Sequence, residues 1–136
     1  MKIGFTGTRN GMTDKQKSAF QALIAMFKPI EFHHGDCIGA DAEAHDMAEK
    51  HCAVIIHPPI DEALRARKAA RVYCPQKTHF ARNRDIVNDT ELLIATPMQA
   101  EHQTHGGTWY TIDYARKKGK PVTVINPDGS LSESRS

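Results

Sequence analysis

Three glycine-bearing segments and one arginine pair hold the residues best suited to gripping an anion. In His105-Gly106-Gly107-Thr108-Trp109 the paired glycines stand between a short apolar run, Glu91 to Ala95, and a stretch with Trp109, Ile112 and Ala115 on one helical face. Glycines in that position leave backbone amides bare, and bare amides at a helix N-terminus attract phosphate. Thr108 stands where it can cap the helix. The second segment, Gly7-Thr8-Arg9-Asn10-Gly11, follows a β-rich opening and either offers Thr6, Thr8 and Arg9 to a phosphate or ribose or makes a simple turn with a surface arginine. The third, Gly35-Asp36-Cys37-Ile38-Gly39-Ala40-Asp41, adds two carboxylates. These either contact ribose hydroxyls or a base edge or, for Asp41, cap the next helix. Of Arg82 and Arg84, which lie on different sides of one helix, one reaches the pocket and the other pairs on the surface, unless both are solvated charge. Trp109 and Tyr110 suit stacking on a base, although the spacing of Trp109 equally suits the core.

Other chemistries find less support. Gly4-Phe5-Thr6-Gly7-Thr8-Arg9 departs from the dinucleotide GxGxxG pattern, and the Gly-Lys-Ser/Thr ending of a Walker loop is missing. No Ser-His-Asp ordering emerges, and no basic cluster adjoins a cysteine to make it a nucleophile. His33, His34, Asp36, His45 and Asp46 invite a metal reading, but the His-Glu-x-x-His spacing is absent and His33 and His34 alternate across a strand. The expectation is therefore no metal and no resident cofactor. A net charge of +2 gives no nucleic-acid footprint, and no apolar run approaches the length of a membrane span. Three cysteines, odd in number and without CxxC spacing, argue against a disulfide framework and fit a reducing cytoplasm. Met1-Lys2-Ile3-Gly4-Phe5 runs directly into a strand, so no signal peptide is expected.

The elements that position these residues alternate. Strands are predicted from Lys2 to Thr6, Glu31 to His34, Ala53 to His57, Glu91 to Ala95 and Val122 to Ile125. Helices are predicted between them, the first opening on a Thr13/Gln16 capping box and ending at Pro29. Asp61 to Arg71, rich in arginine and lysine, is predicted helical and solvated. With 136 residues the chain should be one domain over residues 1–129, followed by a mobile tail at 130–136. Short apolar strands alternating with helices give the fold class α/β: a three-layer Rossmann-like domain with a mostly parallel sheet of about five strands and helices on both faces. In such a sheet the loops after strands one, two and four gather at one edge, where ligands bind.

Taken together, Gly4-Phe5-Thr6-Gly7-Thr8-Arg9, His34-Gly35-Asp36-Cys37-Ile38-Gly39-Ala40-Asp41, Arg82-Asn83-Arg84, Gly106-Gly107-Thr108-Trp109 and Gly119-Lys120-Pro121 resemble the SLOG superfamily. That group takes in DprA/Smf proteins, the LOG cytokinin-activating enzymes and small single-domain proteins of the DUF2493 type, to which the likeness is nearest. The resemblance implies a nucleotide or nucleotide-derived ligand, possible roles in sensing or retaining signals such as ADP-ribose derivatives, and pairing of subunits into a homo-oligomer. It implies ligand contacts at Gly7, Thr8, Arg9, Gly35, Asp36, Gly39, Asp41, Arg82, Arg84, Gly106, Gly107, Thr108 and Trp109. The LOG enzymes are phosphoribohydrolases, and Arg82 matches their arginine. The position of their catalytic glutamate falls on Thr111, which has no carboxylate to stabilise an oxocarbenium-like centre. Asp113 lies about 200° round a helix from Thr111 and does not replace it. Binding without turnover is thus the leading expectation, and hydrolysis of a nucleoside 5′-monophosphate the alternative.

Overall fold

β1 (Lys2–Gly7) begins the chain and takes an interior place in the sheet. The computed structural model, which describes residues 1–134, builds outward from it twice. α1 (Asp14–Phe27), β2 (Glu31–His34), α2 (Ala40–Ala48), β3 (Ala53–Ile56) and the two-residue β4 (Val72–Tyr73) form one half. α3 (His79–Asn88) returns the chain, and β5 (Leu92–Thr96), α4 (Gly107–Lys117), β6 (Val122–Ile125) and β7 (Leu131–Ser134) form the other. The strand order is β4-β3-β2-β1-β5-β6-β7, parallel except for β7, which runs antiparallel to β6. Because the halves leave β1 in opposite directions, strand order reverses between β1 and β5. Parallel sheets take their ligands in the crevice at such a point.

Each face is covered by two helices. Phe5, Phe20 and Phe32 interlock with ring centroids 5.4–5.7 Å apart in the core that includes residues of α1 and α2. Ile86, Leu93, Trp109, Ile112 and Val124 form the opposite core with α3 and α4. β5, read from an unbroken apolar run, is buried along its whole length, as a strand covered on both faces must be. The capping box forms at Thr13 and Gln16, and Gln16 then spends its side-chain amide on the carbonyls of Pro97 and Ile125. No helix among the described residues is long and apolar enough to cross a membrane, and the three cysteines are free thiols.

The α/β three-layer architecture agrees with the sequence reading, with seven strands in place of about five. β4 is too short to show a hydropathy period. β7 falls in the segment read as a mobile tail. It has little to bury and is held by its ladder to β6, a pairing that apolar content does not reveal. The remainder of that tail, residues 135–136, lies outside the described residues. The expected helix at 61–71 is absent. The buried Asp36 carboxylate accepts the backbone N–H groups of Arg67 and Lys68 and the Arg65 Nε–H at 3.0–3.2 Å, and Arg67 turns left-handed at φ 60°. Amides drawn toward a carboxylate are not free for a helical ladder.

Candidate functional site

A cavity of about 530 Å³ lies at the switch point and takes its walls from loops after β1, β2 and β5 and from the start of α3. The three inner glycines serve protein packing. A Cβ on Gly7 would come within 2.5 Å of Ala40 Cβ and Thr96 Oγ1. One on Gly35 would strike the Arg82 guanidinium, and one on Gly39 would strike the carbonyl groups of Arg9 and Thr8. Thr8 also turns its hydroxyl to its own loop, accepting from the Asn10 amide at 3.2 Å.

The start of α4 is different. Gly106 is the N-cap, at φ 94°, and no side chain caps the helix. Thr108, read as the cap, sits one residue inside it, so the amides of Gly107, Thr108 and Trp109 have no intrahelical acceptor. A Cβ on Gly106 would meet nothing within 4 Å, and one on Gly107 only Asn83 Nδ2 at 3.7 Å. Bare amides, the positive end of the helix dipole and open space therefore coincide at the cavity wall.

Arg82 is a strut of that wall. Its guanidinium donates to the carbonyls of Gly35 (2.6 Å) and His57 (3.3 Å) and to Asn83 Oδ1 (2.6 Å), with His79 Nδ1 at 3.1 Å from Nη2. Four of its five N–H groups are thus engaged by protein, and burial lowers its pKa from the usual arginine value. The bond from Nε fixes the Asn83 carboxamide with Nδ2 on the Gly107 side. Asp41 is the one carboxylate among the described residues lining the cavity. Its Oδ2 accepts the amides of Gly35 and Cys37, at 3.2 and 3.1 Å. Burial raises its pKa to about 6, against the lowering effect of Arg82 and the two amides. The Cys37 thiol is pushed up by burial and then by Asp41, which suits no nucleophile.

The remaining sequence-predicted residues divide. Gly7, Thr8, Arg9, Gly35, Asp41, Arg82, Gly106, Gly107, Thr108 and Trp109 all line the cavity, and Arg9 is exposed there. Asp36, Gly39 and Arg84 do not line it. Asp36 is fully buried under the 61–71 segment, paired to Arg65. Gly39 is covered by the β1 loop, and Arg84 donates to Tyr110 Oη at 2.9 Å. Trp109 belongs to both readings: it packs in the α3–α4 core and lines the cavity, with a buried Nε1 that finds no hydrogen-bond partner. Thr111 donates to the Gly107 carbonyl at 2.7 Å, and Asp113 is taken by His102 outside the cavity. Asn83, His79 and Phe80 also line it and were missed. Asn83 stood in view between two arginines, but nothing in its spacing distinguished an aimed amide from surface polarity.

No protein-family model matches the chain, and no curated protein matches it. Solved structures do. A molybdenum cofactor binding protein from Rippkaea orientalis aligns over 92% of this chain and 76% of its own, with a TM-score of 0.71 at 23% identity. DNA processing protein A (DprA) from Streptococcus pneumoniae aligns over 91% of this chain with a TM-score of 0.68 at 22% identity, and this chain spans half of its length. The molybdenum cofactor carrier protein of Chlamydomonas reinhardtii aligns over 90% of this chain and 74% of its own, with a TM-score of 0.64 at 19% identity. At these identities the likeness is one of fold: this chain shares the Rossmann-like architecture of DprA and the molybdenum cofactor carriers.

Proposed function

We propose that this chain binds a phosphorylated small molecule of nucleotide type at the start of α4 and holds it without turnover. Gly107 carries the reading. Its φ lies outside the left-handed range and no protein atom crowds its missing Cβ, so neither backbone nor packing calls for glycine. An anion that must reach the helix amides does. Phosphate oxygens then accept from the amides of Gly107, Thr108 and Trp109, with the Thr108 hydroxyl and Asn83 Nδ2 alongside and Arg9 closing the opposite lip. Two of the structural neighbours are described as binding or carrying a cofactor, which supports small-molecule binding as a use of this fold.

The finer placement follows the sequence resemblance: a small single-domain SLOG protein of DUF2493 type, self-associating, with light scattering as the check on self-association. Native mass spectrometry of the purified chain identifies what it retains, and calorimetry with ADP-ribose, nucleoside 5′-mono- and diphosphates and inorganic phosphate ranks the classes. Affinity for none of these overturns the proposal.

A second reading is favoured by Asp41, a cavity carboxyl whose pKa is raised to about 6. Such a group is tuned for proton transfer near neutral pH and could serve an N-glycosidic hydrolase in place of the missing glutamate. Chromatography for free base released from nucleoside 5′-monophosphates separates the readings. Base release lost in Asp41→Asn establishes the second.

A further inference from the structure

On the sheet face opposite α2, four segments bring metal-ligand side chains together away from the cavity. His33 lies on β2, His57 follows β3, Cys74 follows β4 and Asp89 is the C-cap of α3. One ligand atom from each of His33, His57 and Asp89 lies within 4.8 Å of the other two, and Cys74 Sγ stands just outside that group. His33 Nδ1 stands 2.8 Å from His57 Nε2, and Cys74 Sγ stands 3.9 Å from the same nitrogen. On the far side of the His33 ring, Nε2 is held by Glu31 Oε1 at 2.9 Å. A carboxylate on the outer nitrogen is how metal-binding histidines are oriented, because it fixes the inner lone pair.

We propose that His33, His57 and Asp89 form a site for one zinc-class divalent cation, which Cys74 joins by turning its side chain inward as the cation arrives. Tetrahedral zinc, with bonds of about 2.0–2.1 Å to nitrogen and 2.3 Å to sulfur, sets ligand separations of roughly 3.3 Å for N···N and 3.6 Å for N···S. The 2.8 and 3.9 Å separations fall either side of these. The Cys74 thiol gives its proton to solvent when the cation arrives.

A second histidine pair on the other face shows what a closed hydrogen-bond chain looks like. His34 Nδ1 accepts the Asp36 amide at 2.9 Å, its Nε2 meets His45 Nδ1 at 2.9 Å, and His45 Nε2 faces Glu49 at 3.6 Å. Each nitrogen there has one partner. At the first pair His57 Nε2 faces both His33 Nδ1 and Cys74 Sγ, and one N–H cannot point well at both. A cation serves both. Four protein ligands make a closed, structural site, and this one would pin the two-residue β4 to β2, β3 and α3.

Titration of the untagged, metal-free full chain with Zn²⁺ and Co²⁺ tests this. One equivalent should bind, with tetrahedral cobalt bands and a thiolate-to-cobalt charge-transfer band that Cys74→Ser removes. Asp89→Asn and Glu31→Gln should each weaken Zn²⁺ about 10- to 100-fold. Glu49→Gln, in the separate His45, Asp46 and Glu49 group, should change nothing. Circular dichroism verifies that each variant folds. Failure to take up one equivalent, a cobalt spectrum without the thiolate band, or loss in Glu49→Gln but not in Asp89→Asn overturns the site.

Discussion

α2 and α4 both begin at a glycine with positive φ, 88° at Gly39 and 94° at Gly106, and neither has a side-chain cap. At α2 the protein itself fills the approach: the Ala40 amide donates to the Thr8 carbonyl at 2.9 Å, and that loop packs against Gly39. At α4 nothing lies within 4 Å of the corresponding position. One device has two uses. A glycine before a helix says that something comes close to the backbone. Only the packing tells whether it is the chain or a ligand.

Substitution at the two starts should give the widest contrast. Gly39→Ala forces a Cβ into backbone carbonyls at an unfavourable φ, costing about 3–5 kcal/mol from strain and overpacking together. That is a large part of the stability of a domain this size, and urea unfolding measures it. Gly107→Val should unfold within about 0.5 kcal/mol of wild type, since its Cβ meets only Asn83 Nδ2 at 3.7 Å. Its nucleotide affinity by calorimetry should fall more than about 100-fold, because the side chain blocks the amides. Retained affinity in a folded Gly107→Val places the ligand elsewhere.

The two cavity arginines extend the contrast. Arg82→Ala leaves the Gly35 and His57 carbonyls without a donor and frees Asn83, which should destabilise by about 2–4 kcal/mol. Loss of binding in that variant would therefore report the wall and not a ligand contact. Arg9 is exposed, and Arg9→Ala should leave the unfolding midpoint nearly unchanged while weakening a phosphorylated ligand about tenfold. An Arg9→Ala variant as unstable as Arg82→Ala would show that the roles are misassigned.

The sequence made much of this legible, for physical reasons. The apolar run of β5, the Thr13/Gln16 box and the glycine loops are local signals, and each element formed where its own residues put it. What escaped depends on distant partners. Asp36 looked like a ligand group until a segment some thirty residues on closed over it. Arg82 and Arg84 were indistinguishable until Gly35, His57 and Tyr110 claimed them. His33 and His34 alternate across their strand, which argues against a shared metal, while the imidazole that meets His33 comes from the end of another strand. β7 gains its stability from a ladder rather than from burial.

Asp41 separates the two helix starts electrostatically, since burial raises its pKa from 3.8 to about 6. A raised folded-state pKa means that protonation favours folding. This contribution is complete below pH 3.8 and is lost as pH rises through about 6, and it amounts to about 3 kcal/mol. His57 acts in the opposite sense. Burial lowers its pKa to about 4, so its contribution is present above pH 6.5 and fades as pH falls toward 4. The difference between wild type and Asp41→Asn cancels the histidine. Across pH 4 to 7.5, urea unfolding should show Asp41→Asn gaining on wild type by up to about 3 kcal/mol. A pH-independent difference removes the raised pKa, and with it the main support for a proton-transfer role.

The smallest effects should fall on two residues of similar sequence promise. Arg84 lies outside the cavity and donates to Tyr110 Oη at 2.9 Å. Arg84→Ala loses that one half-buried bond, about 0.5–1.5 kcal/mol, from stability and nothing from ligand affinity. Thr108 has the reverse balance. Its hydroxyl does not cap α4, so Thr108→Ala should leave unfolding almost unmoved. If the hydroxyl donates to a bound phosphate, the same 0.5–1.5 kcal/mol appears as a loss of affinity of roughly 2- to 12-fold. Calorimetry and urea unfolding on both variants give four numbers, and the pattern matters more than any one of them. Affinity lost in Arg84→Ala but kept in Thr108→Ala would move the ligand from the start of α4 toward the outer face of α3, and would end the comparison on which the proposed site rests.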